Sequence, residues 1–67
     1  MASTVTQEYL MGIKEGRTLF KQHGISIAHD SIANLKSTIK GFAASSPVGQ
    51  MLRGELAFWT NQLKIAK

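Results

Sequence analysis

The chain has 67 residues, of which 43% are apolar, with eight Lys and Arg against four Asp and Glu, six Gly, one Pro and no Cys. A chain of this length buries only about 60% of the surface that its unfolded form exposes, and the missing cysteines exclude disulfides and any zinc site with thiolate ligands. These numbers indicate one small basic domain and favour self-association, most simply a homodimer, as the further source of stability.

The first predicted element is a helix over residues 4–23. Ser3 or Thr4 can cap its start, Thr4 and Gln7 have the spacing of a capping box, and Gly24 has the conformational freedom to end it. Its apolar residues recur at the three- and four-residue spacing of a buried helix face. They are Tyr9, Leu10, Ile13, Gly16 and Phe20.

The second helix is predicted over residues 27–44, with Ser26 as its cap and Asp30 as a competing cap. Its apolar seam alternates spacings of four and three residues and consists of Ala28, Ile32, Leu35, Ile39 and Phe42.

The third helix is predicted over residues 47–65. The residue before a proline is disfavoured in the helical region, and proline is favoured as the first residue of a helix, so Ser46-Pro47 indicates a cap followed by a helix start. The seam of this helix has the same spacing and consists of Val48, Leu52, Leu56, Trp59, Leu63 and Ala66.

Three matched seams predict an all-α protein. Short connections favour antiparallel neighbours, so the sequence predicts a small antiparallel three-helix bundle. A helical-hairpin dimer is the alternative, in which helices two and three form the hairpin and helix one lies across the partner chain.

Glycine is frequent inside these predicted helices, where each glycine costs up to about 1 kcal/mol relative to alanine. Gly12 and Gly16 share one face, and Gly54 shares a face with Met51 and Phe58. Two interpretations stay open, namely close approach of two helix backbones or positions without a packing role.

A second set of apolar residues lies off the main seams and exceeds what a core of this size can bury. As a contiguous patch, such residues mark an interface. Phe58 is the strongest candidate because aromatic side chains contribute most to protein interfaces. The predicted protein interface comprises Met11, Leu19, Met51, Gly54 and Phe58.

Catalytic and metal chemistry find little support in the sequence. A zinc site needs more ligands than the three candidates His23, His29 and Asp30. The serines near His29 are not accompanied by sequence features of an oxyanion hole or a substrate pocket. The sequence has no glycine-rich phosphate-binding motif. We therefore expect no enzyme activity, no cofactor and no metal.

The N-terminal sequence has no charged n-region followed by an apolar h-region, and no apolar run approaches the roughly 20 residues needed to span a bilayer. The sequence therefore predicts a cytoplasmic protein without a membrane span. A helix lying on a membrane surface is a weaker interpretation, because the cations are spread over three helices.

Basic residues recur at helical spacing on two helices. Such a stripe can contact phosphates, although solvated helix faces commonly carry lysine as well. The stretch around Gly24 does not fit a helix-turn-helix, because bulky Phe20 and charged Asp30 occupy positions that need small and buried residues. The candidate nucleic-acid contacts are Lys14, Arg17, Lys21, Lys36 and Lys40.

The C-terminal third contains Arg53-Gly54-Glu55, then Phe58-Trp59 and Gln62-Leu63-Lys64. In these residues it resembles small helical early-region proteins of temperate lambda-like phages, encoded between the exonuclease and excisionase genes. The resemblance covers about a third of the chain. It implies a non-enzymatic modulator of host physiology or of the choice between lysis and lysogeny, acting as a helical oligomer with a host or phage protein.

The leading hypothesis is accordingly a dimeric helical module that binds another protein. The alternative is a nucleic-acid-binding protein that uses the basic helix faces.

Overall fold

Three α-helices make up most of the chain in the computed structural model, which describes residues 6–43 and 45–66. They are α1 (Gln7–His23), α2 (Ala28–Ile39) and α3 (Pro47–Ala66), and a short 3-10 turn at Ile25–Ile27 directly precedes α2. No strand occurs within these two described ranges. The all-α prediction is therefore confirmed.

Helix α1 begins at Gln7, three residues later than the predicted start. Its cap is Thr6, whose hydroxyl oxygen accepts a hydrogen bond from the Tyr9 amide at 3.1 Å. The predicted caps Ser3 and Thr4 lie outside the described residues. At the other end Gly24 has a φ of 74°, and its amide donates to the Phe20 carbonyl at 2.7 Å. Because this φ is unfavourable for residues with a Cβ, glycine is required here.

Helix α2 is shorter at both ends than the predicted 27–44. The Ser26 hydroxyl donates to the His23 carbonyl at 3.2 Å instead of capping α2, and residues 25–27 form the 3-10 turn. After Ile39, the amides of Gly41 and Phe42 each donate to the carbonyl three residues earlier, at 3.0 Å. These tighter turns end the α-helix before Phe42, so Phe42 is not part of the helical seam.

Helix α3 begins at Pro47, as the Ser46-Pro47 pair predicts, and ends one residue after the predicted end. Ser46 occupies the cap position. Its carbonyl accepts from the Gln50 amide at 2.8 Å, and its hydroxyl accepts from the Gly49 amide at a longer 3.4 Å.

Helix α3 is the central element because it packs against both other helices, whereas α1 and α2 have little direct contact. Tyr9 lies beside Gly54, and Gly16 lies beside Phe58. Later residues of α1 therefore meet later residues of α3, so these two helices run in the same direction. The prediction of a small bundle is confirmed. Its principal helix contact is the parallel α1–α3 pair. Helix α1 packs on its own chain, whereas the helical-hairpin alternative has it lie across a partner chain.

The core is centred on α3. Trp59 is fully buried, and Phe58, Leu35 and Ala28 are also buried. Phe20 of α1, Phe58 and Trp59 contact one another edge to face, with ring centroids between 5.5 and 6.1 Å apart. This geometry is favourable for aromatic pairs, and it joins α1 to α3 near the end of α1. The indole N–H of Trp59 is buried and has no hydrogen-bond partner among the described residues.

Candidate functional site

Three glycines set the closest approach of α1 and α3. A Cβ at Gly12 would overlap the Met51 carbonyl, a Cβ at Gly54 would overlap the Tyr9 carbonyl, and a Cβ at Gly16 would lie 2.8 Å from the Phe58 ring. At such distances the glycine Cα–H groups can point at carbonyl oxygens of the facing helix. Of the two interpretations of these glycines, close backbone approach is therefore correct.

This close approach overturns part of the predicted interface. Gly54 and Phe58 were expected on an exposed second face of α3, but both are buried, and α1 of the same chain covers them. That expectation is wrong because the stripe Met51-Gly54-Phe58 is the face that α3 uses to bind α1. Met51 is half-buried for the same reason.

The two α1 residues of the predicted interface have different surroundings. Leu19 is half-buried and packs against the core, while Met11 is 50% exposed. Leu10, expected on the buried stripe, is 56% exposed. Met11 is thus the member of the predicted interface that stays open to solvent.

A groove lies between α1 and α3, next to the place where Gly12, Gly16 and Gly54 let the two helices approach. Its volume is about 360 Å³. We call it the α1–α3 groove, and it is lined by Ile13, Arg17, Ala57, Phe58, Asn61 and Gln62. Ile13, Ala57 and Phe58 provide apolar surface, whereas Arg17, Asn61 and Gln62 provide hydrogen-bonding groups. The groove therefore combines apolar surface with hydrogen-bonding side chains from both helices.

The sequence predicted Phe58 as a protein-interface residue and Arg17 as a nucleic-acid contact. It did not single out Ala57, Asn61 or Gln62 as site residues. Ala57 and Asn61 are four residues apart on α3, as Ile13 and Arg17 are on α1, so each pair shares a helix face. This spacing is visible in the sequence. The sequence does not show the direction and register of α1 against α3, which bring the two pairs together.

The five predicted nucleic-acid contacts are all exposed. Lys14, Arg17 and Lys21 are three and four residues apart and therefore share one side of α1. Lys36 and Lys40 lie at the end of α2 and in the turn after it.

Acidic side chains lie together on another side of the helix pair. Burial raises the pKa of the Glu55 carboxyl above its ordinary value of 4.5, and the nearby Glu15 carboxylate raises this pKa further. Glu15 is two residues from Arg17, and hence about 200° around α1 from it. Within the part of the chain that the structure describes, no Asp or Glu lines the α1–α3 groove, so positive and negative groups are separated on α1.

No three His, Asp or Glu side chains are grouped as metal ligands within the described part of the chain. Over the same residues, no helix combines the length and the apolar character needed to cross a membrane.

Comparison with known proteins gives no relative. No protein-family model matches the chain, and neither the curated proteins nor the solved structures contain a match.

Proposed function

We propose that this chain is a small non-enzymatic helical module that binds another protein, with the α1–α3 groove as its docking surface. The observation that supports the proposal is the groove itself, whose lining combines the apolar side chains of Ile13, Ala57 and Phe58 with the polar side chains of Arg17, Asn61 and Gln62. In this proposal Phe58 keeps a part in the docking surface as a lining residue of the groove, whereas buried Gly54 does not line it.

The proposal is tested with two exposed, neighbouring positions of α3. Asn61 lines the groove, while Thr60 does not and lies about 100° around the helix. In cross-linking from extracts of the source organism, we expect wild type and Thr60→Glu to capture the same partner and Asn61→Glu to lose it. Circular dichroism verifies that both variants remain helical. Equal capture by the two variants, or no specific capture by wild type, contradicts the proposal.

The homodimer also belongs to this proposal. The argument for it is the small size of the domain together with exposed apolar side chains such as Leu10 and Met11. The cytoplasmic location that the sequence predicts is proposed with it.

The resemblance of the C-terminal third to phage early-region proteins adds a biological setting, in which the module would modulate host physiology or the choice between lysis and lysogeny. The position of the gene tests this part. A prophage early operon supports it, and a cluster of metabolic genes contradicts it.

Nucleic-acid binding is the second candidate function, and the exposure of all five predicted contacts supports it. Binding through phosphates weakens steeply as salt rises. Fluorescence anisotropy with labelled single- and double-stranded DNA over a salt series tests it. A steep salt dependence that Lys14→Gln and Lys21→Gln reduce supports this function, and undetectable binding at low salt removes it.

A further inference from the structure

We infer that the occupant of the α1–α3 groove is an acidic amphipathic segment of the partner protein, which places an apolar side chain on the groove floor and a carboxylate on Arg17. This inference rests on the proposed function and adds the chemistry of the partner. It follows from the shape of the groove, the charges around it and the burial of Phe58.

The shape favours a peptide segment over an enclosed small molecule. A small-molecule site normally buries most of its ligand in a volume of roughly 300–1,000 Å³. The α1–α3 groove is at the low end of that range, with about 360 Å³, and two of its lining residues, Arg17 and Asn61, are exposed. It therefore holds one or two side chains of a segment that continues along the surface between the helices.

The charges favour an acidic segment. Among the described residues, Arg17 is the charged side chain that lines the groove, and Lys14 and Lys21 share its side of α1. An arginine side chain can bind a carboxylate through two parallel hydrogen bonds. The amides of Asn61 and Gln62 both donate and accept, so they can pair with peptide groups of the segment. A basic segment would instead be repelled by Arg17, Lys14 and Lys21.

The burial of Phe58 argues against nucleic acid as the occupant. Single-stranded nucleic acids gain affinity when bases stack on exposed aromatic faces. Phe58 is only 8% exposed, and its ring packs against Gly16, Phe20 and Trp59. It therefore offers no open face for stacking, whereas an aliphatic side chain needs only the apolar surface that Ile13, Ala57 and the edge of Phe58 provide.

The test is to select binding peptides from a displayed library of random 12-residue sequences, with the full chain of this protein as the target. The selection makes no assumption about the natural partner. We expect selected peptides to be enriched in Asp and Glu beside a Leu, Ile or Phe. Arg17→Gln should weaken their binding by up to about fivefold, because it removes an ion pair at an exposed position. Lys40→Gln removes the same charge from an exposed position outside the groove and should have little effect.

The outcomes separate this inference from the proposed function. Peptides that depend on Asn61 but are not acidic, or that bind Arg17→Gln as well as wild type, overturn the acidic partner and leave the groove as a docking surface. If no selected peptide is sensitive to Asn61→Glu, both fail. If Arg17→Gln and Lys40→Gln weaken peptide binding equally and DNA displaces the peptides, the peptides are attracted to cations in general. This result also overturns the inference.

Discussion

At the scale of single residues, Gly12 and Gly54 show how one missing methyl group determines a helix contact. Each glycine faces a backbone carbonyl of the other helix, and a backbone cannot move aside as the end of a flexible side chain can. The cost of glycine in a helix, up to about 1 kcal/mol relative to alanine, is therefore offset by close packing of α1 on α3. The exposed Gly41 has no such role.

We predict that Gly12→Ala and Gly54→Ala each lower the free energy of unfolding by about 1–3 kcal/mol, the usual range for overpacking. Gly41→Ala is the matched control, because a Cβ there would meet its nearest atom, the Thr38 carbonyl oxygen, at an ordinary 3.5 Å. That variant should be neutral or slightly stabilising. Urea denaturation measures all three. Stabilisation by alanine at position 12 or 54 would contradict the close approach.

Some features of single residues could be predicted from the sequence, and others could not. The spacing of Gly12 and Gly16 left a close helix contact as one of two open interpretations, whereas Ser46-Pro47 correctly predicted the start of α3. Phe58 was assigned to an interface because it lies about 100° from the Trp59 seam. Helical spacing identifies an apolar face but does not say whether that face meets a partner or another helix of the same chain. The expected exposure of Phe58 was therefore wrong, because α1 covers it.

At the scale of elements, the ends and directions of helices depend on interactions that periodicity does not contain. The seam of helix two continues in sequence to Phe42, but 3-10 hydrogen bonds end α2 after Ile39. The parallel α1–α3 pair depends on glycine contacts between residues some 40 positions apart. The α1–α3 groove arises from that pairing, which is why its α3 side could not be predicted from the sequence.

The pairing of α1 with α3 also brings the carboxyl groups of Glu15 and Glu55 near one another, which yields a prediction about pH. The pKa of Glu55 is raised in the folded chain, chiefly by burial and then by Glu15. The folded state therefore binds this proton more tightly than the unfolded state does. Its contribution to stability increases as pH falls through the raised pKa, and it levels off below the ordinary value of 4.5.

We expect Glu55→Gln to raise the melting temperature more at the upper end of the range from pH 4 to pH 8 than at the lower end, because burial disfavours the ionised carboxylate that forms as pH rises. Glu15→Gln should show the same direction with a smaller effect, because the neighbouring charge is the lesser cause of the shift. Circular dichroism melting curves between pH 4 and pH 8 measure the difference from wild type. A difference that does not change over this range contradicts the raised pKa.

At the scale of the whole molecule, the limited core and the exposed apolar side chains both bear on whether the chain is stable as a monomer. Within the described residues, Ala28, Leu35, Phe58 and Trp59 are the buried hydrophobic residues, while Leu10, Met11 and Ile65 are each at least half exposed. Domains of this size gain little net stability from burial within one chain. A second copy that covers part of the exposed apolar surface would add stability that depends on protein concentration.

We predict a homodimer in which Met11 is covered by the second copy. In sedimentation equilibrium the molar mass should approach twice 7.3 kDa at high concentration, and the melting temperature should rise with concentration. Met11→Glu should shift the mass toward the monomer, because it would bury a charge at the interface. Ala33→Glu places the same charge on the exposed surface of α2 and should leave the mass unchanged. A monomeric mass at all concentrations refutes the dimer without affecting the α1–α3 groove, whose lining residues belong to one chain.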